Sequence, residues 1–468
     1  MELANKKVIV VGLGVTGIAV ARFLKKRGAV VIATDQATEG TLGARAQKIQ
    51  EMGIAMELGG HRSQTFAKAD LIVMSPGVPH TIKPVVRAKE NGIPVIGEIE
   101  LASRFIKEPI LAVTGTNGKT TTIEILGRML THSGFNVFVG GNIGSPLIGY
   151  VDAEQKADFI VAEISSFQLD TIDTFRPKIG VLLNITADHL DRYQNFEAYA
   201  ASKIRIFKNQ QPGDIAVLNG SDPVVRSLSE PLDSTRLYYP TLADKEEGAV
   251  NNGKRIRFRF NESKKRDDRG PLAHLASRNR QSLNVSKVKL IGRHNLENAA
   301  AAALAALATG ASPESVQVAL NRYQGTAHRL EHIDTMHGVD FINDSKATNV
   351  DAVIKAVESF KKPVVLIMGG LDKGGNFQGL REVLAQHTKK LIVMGKAAAR
   401  IQSALGDTVP TTLALSMADA VKQAYRVVSP DNVILLSPGC ASFDMYENYV
   451  QRGEDFRKAV KNFKLQIS

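Results

Sequence analysis

The sequence holds a single cysteine, Cys440, and no tryptophan. One thiol excludes an intrachain disulfide framework, so burial rather than crosslinking must hold the fold. Cys440 itself reads as a small core residue beside a turn. No apolar run approaches the roughly 20 residues that a membrane-spanning helix needs. The opening VIVVGLG is too short for a secretory signal and runs straight into a glycine loop. A cytoplasmic location without a membrane span is the expectation. An acidic excess is lacking too: 59 Lys and Arg face 47 Asp and Glu, a net charge of +12. Part of that excess lies between Lys254 and Arg293, where the only acids are Glu262, Asp267 and Asp268. Aromatic residues that could stack on bases are sparse there, so the stretch reads as a solvated surface insertion and no nucleic-acid partner is expected. A basic balance also suits small anionic substrates.

What is present is a chain of 468 residues, 44% hydrophobic and 23% charged. That is ordinary for a globular protein but too long for one core, so about two to four domains are expected. Short apolar runs ending in Gly or polar turns alternate with helical patterns. KKVIVVG, AVVIATD, DLIVMSPG and IPVIGEIE read as four strands of a first set. ILAVTG, DFIVAEIS, KIGVLLNIT and DIAVLNG form a second, and VDFINDS, PVVLIMGG, KLIVMG and NVILLSPG a third. Runs that are apolar on both faces point to buried parallel sheets with crossover helices. The fold class is therefore α/β with three domains, placed at 1–97, 98–325 and 326–468. The polar stretch 241–286 decorates the middle one. NLENAAAAALAALATG reads as an Ala-rich helix that ends at Gly310 and packs closely on a sheet.

Two glycine loops carry the chemistry. The first, GLGVTG, is a G-x-G-x-x-G (Gly12, Gly14, Gly17) between a strand and a helix, with Asp35 closing the next strand. Such a turn brings backbone and a helix N-terminus to a diphosphate. Alone it suggests a dinucleotide dehydrogenase, yet nothing downstream resembles hydride-transfer chemistry. The second, Thr114-Gly115-Thr116-Asn117-Gly118-Lys119-Thr120, lacks the first glycine of the usual phosphate loop. It keeps the Lys that neutralises β- and γ-phosphates and the Thr whose hydroxyl meets Mg²⁺. Mg²⁺ needs further hard ligands. Glu163, ending FIVAEIS, and Asp188, His189 and Asp191 of NITADHLDRY lie at strand ends, where open α/β sheets bind ligands.

In order, TGTNGKTT, GGNIGSPL, EISSFQLD, NITADHLDRY, AASKIRIF, GRHNLENAAAA, AHRLE and NDSKATN resemble the Mur ligases over essentially the whole chain. GGLDKGG and SPGCASFDMYENYVQRGEDF resemble the branch of that family that adds D-glutamate. The resemblance implies a Rossmann-like N-terminal domain for the UDP-sugar, a central P-loop ATPase-type α/β domain, and a Rossmann-like C-terminal domain. It implies joining the carboxylate of UDP-MurNAc-L-Ala to the amine of D-glutamate at the expense of ATP with Mg²⁺, in peptidoglycan precursor synthesis, by a monomer. ATP would meet Gly115, Thr116, Asn117, Gly118, Lys119, Thr120 and Thr121, together with Asn298, Arg329 and Asp344, near Asn295 and His328. The UDP substrate would meet Gly14, Thr16, Asp35 and Ser75, and its muramoyl-alanine arm Asn142, Ser165 and Gln168. D-Glutamate would meet Lys346, Thr348, Lys373, Ser442, Phe443 and Tyr449, the last standing where a Phe is usual. Thr120 and Glu163 match ligands of one Mg²⁺ and His189 of a second. Lys203 matches the family's carbamylated lysine, whose carboxylate helps fix that second ion. By helical pattern alone, Lys203 would be a solvated lysine. Lys119, His189 and Lys203 are the implied catalytic residues.

Rival readings remain at this level: a sister ligase that adds another amino acid, a folylpolyglutamate synthetase, or a nucleotide-binding module built on GLGVTG. The first lacks a DNPR-like motif here, and the second has no use for the first glycine-loop domain.

Overall fold

The structure, a computed structural model, describes residues 1–188, 192–242, 246–260, 281–286, 288 and 290–467. Three sheets follow one another along the chain. The first runs, in spatial order, Ala55–Leu58, Val30–Asp35, Lys7–Val11, Leu71–Met74, Val95–Gly97, all parallel. The central sheet runs Ser282–Asn284, Arg255–Arg259, Gly248–Asn251, Thr235–Tyr239, Ile215–Asn219, Ile179–Leu182, Ile110–Thr114, Phe159–Glu163, Val137–Gly141. The third runs Glu331–Met336, Val339–Asn343, Val433–Leu436, Val364–Gly369, Thr388–Met394, Thr411–Leu413.

All twelve strands expected from continuous apolar runs are present, because their interior positions are buried on both faces. The strands not expected are mostly short or half-exposed, such as Ala55–Leu58 and Thr411–Leu413. Partial burial leaves no continuous apolar run to read. IPVIGEIE is strand only to Gly97; Glu98–Ser103 is helical. The sheets are also not wholly parallel. Glu331–Met336 pairs antiparallel with Val339–Asn343, and Gly248–Asn251, Arg255–Arg259 and Ser282–Asn284 form an antiparallel extension of the central sheet. The stretch 241–286 thus contributes strands where it is described. Ile256, Phe258 and Phe260 turn inward while Arg255 and Arg257 stay exposed. Alternation places much of the local basic charge on solvent.

The Ala-rich helix is Arg293–Ala308, buried from Asn298 to Ala308. Its small side chains let it lie against the helix Lys119–His132 that follows the second glycine loop. Gly310, at φ +99°, follows the helix end and donates its N–H to Leu307 O at 3.0 Å. Cys440 is 1% exposed, as a core residue should be.

Glu98 joins the first unit to the central one. It is 1% exposed, and its Oε1 accepts the Ile148 N–H at 2.7 Å while Oε2 has no partner. Burial pushes its pKa up to about 7, although the backbone N–H groups of Ile148 and Leu147 pull the other way. A carboxyl whose folded pKa lies above its unfolded value binds its proton more tightly in the folded state. Stability from this group is therefore full below about 4.3, the unfolded value, and is lost as pH rises towards 7. Glu98→Gln mimics the protonated form. Urea unfolding should show the variant gaining on the wild type between pH 5 and pH 8. Parallel curves across that window would exclude the raised pKa.

Candidate active site

The second glycine loop lies between the strand Ile110–Thr114 and the helix Lys119–His132, in the middle of the central sheet. Register sets its neighbours: Val113 is level with Glu163 on one side and Thr114 with Leu182 on the other. Glu163 and the segment after Leu182 therefore flank the loop. Asn184 grips it by accepting the Asn117 N–H at 2.8 Å and donating to Asn117 O at 3.1 Å. Gly118, at the helix N-cap, has φ +88°, and a Cβ there would come 2.4 Å from Asn298 Oδ1. No L side chain suits that backbone or that space. The loop turns without the missing first glycine because Gly115 itself has φ +153°.

Three groups converge on the Thr120 hydroxyl. It donates to Glu163 Oε2 at 2.7 Å and accepts from Arg329 Nη2 at 2.9 Å and Lys346 Nζ at 3.3 Å. Arg329 and Lys346 belong to the third unit, so the contacts cross between units. Glu163 is 2% exposed, and its Oε1 accepts from Asn142 Nδ2 at 2.9 Å. Burial pushes its carboxyl up, but Lys119, Lys346 and the hydrogen bonds from Asn142 and Thr120 outweigh this and hold it below the usual range. Lys346 is pulled down to about 8, first by burial and then by Arg329. Two buried hard oxygens, one of them anionic, are donors that would suit Mg²⁺. Among the described residues no cluster of three or more His, Cys, Asp or Glu forms a metal cage.

Lys119 points its Nζ back into the loop, donating to Gly115 O at 2.7 Å and Thr116 O at 2.8 Å. Burial lowers its pKa, against the pull of Glu163. Lys203 is 1% exposed rather than solvated, which corrects the reading from helical pattern. The helix Phe196–Ile204 turns this residue inward, and its Nζ donates to Gly115 O at 2.8 Å and lies 4.6 Å from the Tyr199 ring centroid. Burial first, and Lys119 second, lower its pKa well below the ordinary value. His189 and Asp191 lie outside the described residues.

The loop opens on a cleft between the central and third units. Asn117, Gly118, Thr121, Asn298, Arg329 and Asp344 line it, so the expected nucleotide residues do come together. The third unit is latched to this cleft by Asp351, which sequence reasoning missed. Its Oδ2 accepts from Asn117 Nδ2 at 2.7 Å, from Lys355 Nζ at 2.8 Å and from Thr186 Oγ1 at 3.3 Å. Only its place two residues after NDSKATN could have hinted at this.

In the first unit, Gly17 admits no side chain, since a Cβ would lie 1.8 Å from Gly12 O. Asp35 ties the loop to its strand by accepting the Leu13 N–H at 2.6 Å and the Ala37 N–H at 2.8 Å. Gly14 and Thr16 sit at the start of the helix that follows. Ser75 donates to Gly12 O at 2.7 Å and shares a smaller pocket with Gln168 of the central unit. Gln168 pairs with Ser165 in a capping box. On the acceptor side, Lys346 Nζ lies 3.1 Å from Tyr449 Oη and 4.5 Å from its ring centroid. Ser442 is buried and Thr348 half-buried, whereas Lys373 and Phe443 are exposed.

Comparison with known proteins identifies the family. Residues 6–97 match the Mur ligase MurD-like N-terminal domain, 113–306 the Mur ligase middle domain, and 328–440 the Mur ligase glutamate ligase domain. The UDP-N-acetylmuramoylalanine–D-glutamate ligase of Desulfatibacillum aliphaticivorans is 49% identical over 98% of this chain and 99% of its own. The chain belongs to the Mur ligase family. The like-named ligase of Desulfosudis oleivorans is 47% identical over 99% of this chain and 98% of its own. Among solved Mur-type structures, a pseudomurein peptide ligase type C from Methanothermus fervidus superposes with a TM-score of 0.61 at 20% identity. It covers 98% of this chain and 100% of that one, a likeness of fold alone.

Proposed function

We propose that this Mur ligase joins D-glutamate to UDP-N-acetylmuramoyl-L-alanine, consuming ATP. The observation that carries the reading is the meeting of Glu163, Arg329 and Lys346 on the hydroxyl of Thr120, beside Lys119. A phosphate loop, a hard-oxygen pair and cations from the third unit suit transfer of a γ-phosphoryl group to an acid.

A carboxylate is a poor electrophile, because its charge repels nucleophiles and oxide leaves badly. Its oxygen therefore attacks the γ-phosphorus, the bond to ADP breaks, and an acyl phosphate results. The neutral amine of D-glutamate then attacks the acyl carbon, the C–N bond forms, the amine sheds a proton and phosphate departs. Anions meet at each step, so preorganised cations lower the barrier. Lys119 and Arg329 bind the phosphates of ATP, with Gly115 through Thr121 cradling them and Asn298 and Asp344 at the nucleoside end. Thr120 and Glu163 hold Mg²⁺, which offsets phosphate charge when bound. The first unit, residues 1–97, takes the UDP moiety at Gly14, Thr16, Asp35 and Ser75. Asn142, Ser165 and Gln168 of the unit 98–325 guide the acyl arm towards ATP. Lys346, Thr348, Lys373, Ser442, Phe443 and Tyr449 of the unit 326–468 hold D-glutamate.

Lys203 fits a carbamate. A buried amine pushed towards neutrality is the nucleophile that CO₂ requires. The N–C bond forms as one C=O of CO₂ opens to C–O⁻, the nitrogen sheds one proton, and the neutral amine becomes an anion beside Lys119; counted from the ammonium, two protons leave.

The reading is tested by phosphate release with Mg²⁺-ATP. Release should require UDP-N-acetylmuramoyl-L-alanine and D-glutamate together. Binding of NAD(P) without such release would favour the nucleotide-binding module instead.

A further inference from the structure

Arg452 is 3% exposed, yet it forms no ion pair among the described residues. It sits in the first turn of the helix Tyr449–Ile467. Its donors go to three separate segments: Nη2 to Ser345 O at 2.7 Å and Nε to Ser345 Oγ at 3.0 Å, Nη1 to Cys440 O at 3.1 Å and to Gly369 O at 3.4 Å. Each acceptor lies just before residues assigned to D-glutamate. Ser345 precedes Lys346 and Thr348, Gly369 ends the strand leading to Lys373, and Cys440 precedes Ser442 and Phe443. Leu371 and Ala441 exchange backbone hydrogen bonds at 2.7 and 3.0 Å, clasping two of the segments. Ser345 Oγ in turn donates to Tyr449 O at 2.8 Å.

We propose that Arg452 is the positioning residue of the acceptor site, fixing the three loops that bind the acceptor and lending its buried positive charge to a dicarboxylate amino acid. Burying a guanidinium without a carboxylate is costly. Burial does lower its pKa, to about 10, which leaves it charged at neutral pH. Asp444 and Asp344 act on it only through space. Three carbonyl oxygens and the Ser345 hydroxyl satisfy its N–H groups while Asp444 and Asp344 offset its charge only from a distance, and a substrate with two carboxylates supplies further opposite charge. A planar fork also reaches three backbone segments at once, which a lysine cannot.

This inference rests on the D-glutamate reading above, and the test separates the two. KM values for D-glutamate, ATP and the UDP substrate are measured for the wild type, Arg452→Gln, Arg452→Lys and Ser345→Ala, with thermal midpoints alongside. Arg452→Gln should raise the D-glutamate KM by about tenfold or more, with the other two within about threefold. Arg452→Lys, which keeps the charge, should lie between Arg452→Gln and the wild type. Ser345→Ala removes one contact to the guanidinium and should raise the D-glutamate KM by about threefold, which carries the test should Arg452→Gln fail to fold. An unchanged D-glutamate KM, or all three constants rising together with a falling midpoint, overturns the role. A wild type that releases phosphate without regard to D-glutamate overturns the parent reading and this one with it.

Discussion

Lys119→Ala is expected to lower phosphate release by about 10³-fold while leaving binding of the UDP substrate unchanged. The ammonium already sits inside the glycine loop, bonded to the carbonyls of Gly115 and Thr116. On the proposed reading those bonds keep the ammonium in the loop that cradles the phosphates, close to where charge moves to the leaving oxygen. Nothing else in the loop brings a full positive charge, since Thr116 and Asn117 are neutral and Arg329 approaches from the third unit. On the proposed reading the UDP substrate binds in the first unit, on a different glycine loop. Removal of Lys119 relieves repulsion from Arg329 and Lys203 but takes away the stronger attraction of Glu163, so the melting midpoint is read beside turnover. Measuring turnover, UDP-substrate binding and melting together separates a catalytic loss from a folding one. Turnover above about a tenth of the wild-type rate would remove Lys119 from the phosphoryl-transfer site.

Lys203→Ala is the second large effect. Activity should fall by about 10²-fold or more, and formate or acetate should restore part of it. An alanine leaves a small hole next to Gly115 O, and a free carboxylate can supply the anionic oxygens that the proposed carbamate would bring. The unmodified amine could not play this part, since it is a donor and would repel a second cation. The wild type should also lose activity when CO₂ is stripped from the buffer and regain it with bicarbonate, whereas Lys203→Ala should ignore both. Full activity in the plain alanine variant, or no difference between stripped and supplied buffers, would sink the carbamate.

Some of this was legible residue by residue. TGTNGKT between an apolar strand and a helix defined a phosphate loop, and the structure places its Lys and Thr beside Glu163. Glu163 could be suspected because it ends a strand, and strand ends share an edge of a parallel sheet. Lys203 was misread by pattern because its neighbours in AASKIRIF are mixed; burial depends on what packs over the helix. Asp351 and Arg452 carried little local signal beyond lying next to or within quoted motifs. Their roles lie in contacts with Asn117 and with the segments at Ser345, Gly369 and Cys440, up to 234 residues away in sequence.

The sequence by itself determined the three α/β sheets, the two glycine loops and the family, since each is written in short contiguous runs. Apolar stretches that must be buried on both faces, and glycines that alone tolerate their backbone angles, leave the chain little choice locally. Only the tertiary structure decided which side chains share charge. Register set Glu163 level with the loop, and the packing of the third unit on the central one brought Arg329, Lys346 and Asp351 to it. Electrostatic fields and hydrogen bonds depend on distance through space, which the order of residues does not specify.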